Sequence, residues 1–267
     1  MLTPDVLLAV RDRCAVITID RPSTRNAIDR PTIEALGSVL DQVEVGIDSG
    51  DIAVVAIRGG GSQVFISGGD LKELAQIRSE SDARLMAESM RTVLDRLVSL
   101  RIPSVAVLNG DAYGGGAEVA VACDIRIAAS DVRIGFTHVS LGIMPAWGGV
   151  ERLTTLVGRG RASHLLLTGN VVTAAEAGAV GLVEHVVERE SFEDDSHALL
   201  AQLAAVPSTP ARAITALVKA VAQPVVPGLA ELATTEFAKS WASENHWIAV
   251  EAAAARRASQ RPSRPTT

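Results

Sequence analysis

Three consecutive glycines, Gly114, Gly115 and Gly116, constrain this chain more than any other feature. An apolar run at 105–108 precedes them and reads as a short strand. An Ala/Val-rich run carrying one carboxylate, Glu118, follows and has the composition of a helix. A strand that turns through glycine into a helix leaves free backbone N–H groups at the positive end of the helix dipole. Such a turn favours negative charge. Glu118 follows Gly115 by three residues, so a helix here places both on one face. A backbone donor beside an acid/base group suits chemistry in which an oxyanion develops next to a proton transfer. A tight turn with a surface glutamate explains the same residues, and the local sequence leaves both readings open.

The remainder alternates irregularly between strands and helices. Strands are expected at 6–10 and 15–20, joined by Arg11-Asp12-Arg13. Asp29-Arg30-Pro31 starts a helix that runs to about 45, and the β-branched run at 52–57 reads as a buried strand. Phe65-Ile66-Ser67-Gly68-Gly69-Asp70-Leu71-Lys72 is a second glycine-rich strand-to-helix passage, with Asp70 placed to cap its helix. A long amphipathic helix at 82–100 puts Ala83, Met86, Met90, Val93, Leu94 and Leu97 on one side. Short strands follow at 125–128 and 132–134, then an irregular stretch at 136–149. Helices are expected at 150–157, 162–167, 174–179 and 191–205, with a strand at 182–187. Pro207 and Pro210 mark a boundary, after which 211–222 and 228–255 read as helix. The chain thus divides into a core at 1–206, a helical region at 207–255 and a disordered tail at 256–267.

Several classes are disfavoured. A formal net charge of −6 argues against general nucleic-acid binding. No apolar run reaches the length of a membrane span, and charged residues near the N-terminus argue against a signal peptide. Cys14 and Cys123 fit neither a metal motif nor a disulfide framework, so buried free thiols in the cytoplasm are expected. Gly59-Gly60-Gly61-Ser62 lacks the lysine of a nucleotide phosphate loop. His164, His185, His197 and His246 stand apart from the glycine-rich passages, and no pair has metal-ligand spacing. Ser67 lies in no nucleophile motif.

Taken together, the pieces resemble the enoyl-CoA hydratase/isomerase (crotonase) superfamily. The resemblance runs from Arg21-Pro22 and Arg25-Asn26-Ala27 through the 65–73 and 109–118 passages and Ala122-Cys123-Asp124. It continues with Leu141-Gly142-Ile143-Met144-Pro145, Gly148-Gly149 and Arg152-Leu153, and ends at Glu184-His185-Val186-Val187. It implies an α/β fold, a crotonase-like spiral of ββα units with a C-terminal helical trimerisation region. It also implies an acyl-CoA thioester as ligand, with no cofactor beyond the coenzyme A of that substrate, and a homotrimer or homohexamer. By position, the N–H groups of Gly69 and Gly115 are the oxyanion donors and Glu118 is an acid/base. Arg25, Asn26, Ala27, Ser67, Gly69, Asp70, Leu71 and Lys72 would line the coenzyme A path.

The sequence departs from that pattern in two places. The second hydratase glutamate falls four residues before Gly142, where this chain has His138. Histidine titrates near neutrality and can serve as acid or base, or it can simply fill the place. Trp147 stands where typical hydratases carry a small residue, and either reshapes the acyl pocket or only packs. Tyr113, Phe136 and Trp147 are the candidates for that pocket, although Asp111 and Tyr113 read equally as structural or surface residues. Trp241 and Trp247 are expected to anchor the last helices, and Arg256 and Arg257 to lie where coenzyme A phosphate is one option. Hydration of a 2-enoyl-CoA is the leading activity. Decarboxylation of a malonyl-type acyl-CoA is the alternative, because a Trp-Gly-Gly turn and a histidine at this offset also occur in a decarboxylase branch. A catalytically idle acyl-CoA-binding subunit is a third reading.

Overall fold

The computed structural model describes residues 5–222 and 228–259. The chain opens with a hairpin, β1 (Val6–Arg11) and β2 (Cys14–Ile19), followed by α1 (Arg30–Ser49), which Asp29 caps by accepting from the Thr32 N–H. Then one pattern repeats. β3 (Val54–Gly59) and β4 (Val64–Ile66) lead into α2 (Leu71–Leu74) and α3 (Glu80–Ser99). β5 (Ser104–Leu108) and β6 (Asp111–Tyr113) lead into α4 (Gly115–Ala122). β7 (Ile125–Ala129) and β8 (Arg133–Gly135) lead, through a 3-10 turn at Thr137–Leu141, into α5 (Gly149–Val157) and α6 (Arg159–Thr168). After β9 (Val171–Thr173), α7 (Ala174–Ala179) and β10 (His185–Val187), the chain ends in α8 (Phe192–Ala204), α9 (Ser208–Ala222), α10 (Leu229–Ala242) and α11 (Glu244–Ser259).

The first strand of each repeat joins a six-stranded sheet ordered β1-β2-β3-β5-β7-β10, parallel except for the opening hairpin. The second joins a four-stranded sheet ordered β4-β6-β8-β9, in which β4, β6 and β8 are parallel. Each turn of the chain therefore adds one strand to each sheet and then a helix, which is the expected ββα spiral. β3 and β5 are almost continuously buried and lack polar alternation, as parallel strands covered on both faces should. α3 buries Ala83, Ala87, Met90, Val93, Leu94 and Leu97 against the core, while Met86 is only partly covered.

Some boundaries differ from expectation. β6 and β9 have only three residues each, too short for a period-2 pattern to register. The long C-terminal helix is broken at Ser243 into α10 and α11. α11 continues to Ser259, inside the stretch expected to be disordered, and the remainder of that tail lies outside the described residues. α10 packs along α3, and Phe237 and Trp241 join the same core as the sheets. Trp241 Nε1 donates to the Ile77 carbonyl at 3.0 Å, and the Arg78 guanidinium sits 3.7 Å from the centre of a Trp247 ring. Among the described residues, no helix is long and apolar enough to cross a membrane.

Candidate active site

β4 and β6 are neighbouring parallel strands, so the two glycine-rich turns leave the small sheet side by side at the same end. At the first turn, Gly69 forms a bridge with Ile28. Ile28 donates to the Gly68 carbonyl and Asp70 donates to the Ile28 carbonyl, both at 2.8 Å. Those two bonds use the groups on either side of Gly69 and leave its own N–H facing away from Ile28. At the second turn Gly114 takes a positive φ of 53°, which suits glycine, and Gly115 begins α4. Among the described residues, neither the Gly69 nor the Gly115 N–H has a hydrogen-bond acceptor. The turns touch: a Cβ added to Gly68 would lie 3.2 Å from the Gly115 nitrogen.

Every residue of α4 is buried, including Glu118 at 1% exposure. The surface-glutamate reading is therefore wrong. A buried carboxylate needs donors, and Glu118 has three. Its Oε2 accepts from the Trp147 and Gly149 N–H groups at 2.8 Å each, and its Oε1 lies 3.0 Å from His138 Nε2. The two backbone N–H groups on one oxygen fix the direction of the carboxylate, and the imidazole lies against the other oxygen. The His138 side chain is 10% exposed, and its Nδ1 is buried with no hydrogen-bond partner among the described residues. The 3-10 turn that carries it exists because 137–141 tighten before Gly142, which takes a left-handed conformation.

Trp147 is buried against the second turn. Its Cζ3 would be 2.0 Å from a Cβ on Gly115, so the indole packs directly on that glycine. The sequence suggests that Trp147 lies in the region but gives no sign of this contact. Nor does the Arg152-Leu153 piece of the resemblance give Arg152 a role, although its Nη1 donates to the Trp147 carbonyl at 2.6 Å. The available signal was an arginine in the first turns of a helix that follows Gly148-Gly149. His246 was also missed. It is buried, and its Nδ1 donates to the Leu141 carbonyl at 2.6 Å, at the end of the turn carrying His138. Burial pushes the His246 imidazole below the ordinary histidine range, against the opposing pull of its bond to the Leu141 carbonyl.

The remaining candidates are more dispersed. Asn26 and Ala27 are buried. The Asn26 amide donates to the Gly60 and Val64 carbonyls and accepts from the Arg21 N–H, so its side chain pins the loop instead of facing a ligand. Arg25 is exposed. The Asp70 carboxylate caps α2 through the Lys72 N–H and faces Arg21 at 3.5 Å. Ser67 is half-buried, while Leu71 and Lys72 are exposed. Phe136 is fully buried in the core and offers no surface to a pocket. Tyr113 is half-buried and donates to Asp111 at 2.9 Å; burial and that bond push its phenol up to about 12. Cys14 is only half-buried, whereas Cys123 is fully buried and its thiol is pushed up to about 12 by burial. Among the described residues, no group of three His, Cys, Asp or Glu is arranged to hold a metal ion.

Comparison with known proteins gives a consistent picture. The family model described as enoyl-CoA hydratase/isomerase matches residues 10–252. Short-chain-enoyl-CoA hydratase of Clostridium acetobutylicum is 38% identical over 184 residues, covering 69% of each chain. Crotonyl-CoA hydratase of Syntrophomonas wolfei is 36% identical over 192 residues, covering 72% of each. Among solved structures, enoyl-CoA hydratase from Bacillus anthracis superposes with a TM-score of 0.78 at 28% identity. That match covers 94% of this chain and 96% of the other.

Proposed function

This chain belongs to the enoyl-CoA hydratase/isomerase family, and we propose that it hydrates a short 2-enoyl-CoA thioester. The observation that carries the reading is one buried carboxylate, Glu118, set three residues beyond an unengaged N–H at Gly115, on a turn that touches the one carrying another at Gly69. The thioester oxygen would accept from these two N–H groups. As the Glu118 carboxylate takes a proton from water, the water oxygen bonds to C3 and the alkene electrons move onto the thioester oxygen, giving an enolate. The proton now on Glu118 passes to C2 as the enolate collapses, so the O–H bond of water breaks while the C3–O and C2–H bonds form, and Glu118 returns to its carboxylate. His138 Nε2, 3.0 Å from Glu118 Oε1, keeps that group aimed between water and C2. The chain's own groups supply this chemistry, with coenzyme A present only as part of the substrate. Exposed Arg25, Leu71 and Lys72 are the members of the coenzyme A set with surface to offer.

One observation favours a second reading. Direct contact between Glu118 and His138 makes a pair that shares one proton, which is all that decarboxylation of a malonyl-type acyl-CoA requires after the enolate forms. Turnover of crotonyl-CoA, followed by loss of the conjugated enone absorbance, tests the first reading against methylmalonyl-CoA as substrate. Hydration of crotonyl-CoA supports it. Carbon dioxide release from methylmalonyl-CoA, with crotonyl-CoA left unchanged, replaces it with the second. Thioester binding with no turnover of either leaves an idle binder.

We also propose self-association as a homotrimer or a dimer of trimers. α9 exposes Ile214, Leu217, Val218 and Val221, spaced as one helix face, with exposures from 58% to 85%. Such a stripe favours burial against another copy. Light scattering on purified protein tests the mass, and a monomer would reject the proposal. Free thiols at Cys14 and Cys123 support a reducing, cytoplasmic setting.

A further inference from the structure

The best-connected group behind the site is a guanidinium that touches neither glycine turn. Arg152 lies on α5 with its side chain 11% exposed. Its Nη1 donates to the Trp147 carbonyl at 2.6 Å, and its Nη2 pairs with Asp95 on α3. A Cβ on Gly148 would fall 2.3 Å from Nη1, so the turn wraps closely around the guanidinium. Arg91 faces the same Asp95 at 3.5 Å and also pairs with Glu151, which ties Arg152's counter-ion to α3 and α5. The gripped turn is the one whose Trp147 and Gly149 N–H groups hold Glu118 Oε2, and whose indole packs on Gly115. Burial lowers the pKa of Arg152, while Asp95, Glu151 and Glu118 act in the opposite sense.

We infer that Arg152 is the positioning residue of the site: by clamping the Trp147 carbonyl it fixes both the aim of the Glu118 carboxylate and the seat of the Trp147 indole on Gly115. The reasoning is geometric. The Trp147 carbonyl shares one plane with the Gly148 N–H, and that peptide lies between the two that carry the Trp147 and Gly149 N–H groups, so a fork holding it restricts the torsions that aim both. Among the described residues Oε2 accepts no other hydrogen bond, so releasing the turn leaves the carboxylate held only through Oε1 by His138 and free to change its torsions. A misplacement of about 1 Å in a catalytic group is enough to cost on the order of 10²-fold in rate. The residue would act on kcat and leave ground-state thioester binding almost untouched.

The inference rests on the proposed hydratase reading only where turnover is the readout, so the test has two arms. The first arm uses no substrate. Backbone amide resonances of Trp147 and Gly149 are compared in wild type, Arg152→Met and Glu118→Ala, which removes their acceptor. Both amides are expected to move in Arg152→Met towards their positions in Glu118→Ala. Unmoved amides in a folded Arg152→Met protein overturn the inference. The second arm measures crotonyl-CoA hydration. A fall in kcat of about 30- to 100-fold, with KM within about 3-fold, is expected for Arg152→Met. Partial recovery on adding methylguanidinium is expected, which a generally loosened fold would not show. A variant with wild-type kcat overturns the inference. Arg152→Lys keeps the charge without the fork and serves if Arg152→Met does not fold; shifted amides with a smaller loss of kcat are expected there, and unmoved amides overturn the inference. A wild type that does not hydrate crotonyl-CoA rejects the hydratase reading while the amide arm still decides the role of Arg152.

Discussion

The two glycine-rich turns have similar sequences and leave neighbouring strands together, yet they are built to different tolerances. After Gly115 the chain enters α4, eight residues with none exposed. Gly116 sits so close to β4 that an added Cβ would lie 1.9 Å from the Ile66 carbonyl oxygen. After Gly69 the chain enters α2, four residues with Leu71 and Lys72 exposed. A Cβ on Gly69 would first meet the Leu74 side chain, at 2.8 Å from its Cδ1. One turn is locked between a sheet and a buried helix, and the other is open to solvent on its far side. The locked turn can hold a carboxylate in one place, which proton transfer needs. The open turn leaves a path for a long ligand to reach the same oxyanion position.

The comparison breaks most visibly in stability. Gly116→Ala has to push aside backbone, so a loss of at least about 3 kcal/mol is expected, read as a shift in the denaturation midpoint. Gly69→Ala has only the end of a leucine to displace, and a loss under about 1 kcal/mol is expected. Equal losses would remove the distinction between the turns. Next in size is His138→Ala, which takes the imidazole from Glu118 Oε1. A fall in kcat on the order of 10²-fold is expected on crotonyl-CoA. An unchanged rate would leave His138 as packing only. The smallest effects belong to the open turn. Leu71→Ala and Lys72→Ala should each raise KM by no more than about 5-fold, worth about 1 kcal/mol, with kcat unchanged. A fall in kcat there would make the open turn part of the chemistry.

How far the sequence discloses this arrangement depends on whether the contacts involved are local. The Gly115 and Glu118 pair lies within one helical turn, so spacing alone predicts their shared face. The Asp70 cap of α2 is local too, and both were legible. The burial of Glu118 was not, because its three donors come from Trp147, Gly149 and His138, far along the chain. The clamp by Arg152 and the His246 bond to Leu141 have the same character: each joins segments brought together only by the spiral or its C-terminal helices. Asn26 shows the opposite case. Its place in a ligand motif suggested contact with coenzyme A, but its amide is consumed by the carbonyls of Gly60 and Val64. Its backbone φ of 55° lies in the left-handed region, which asparagine adopts more readily than most residues.

Glu118→Gln tests the central claim most directly, because glutamine keeps an oxygen for the Trp147 and Gly149 N–H groups while removing the base. Steady-state hydration of crotonyl-CoA by wild type and variant, with thioester affinity measured alongside, is the measurement. The account predicts a fall in kcat of about 10²- to 10⁴-fold with affinity nearly unchanged. A variant that hydrates crotonyl-CoA as fast as the wild type would contradict it, since the buried carboxylate would then be holding the turn and nothing more.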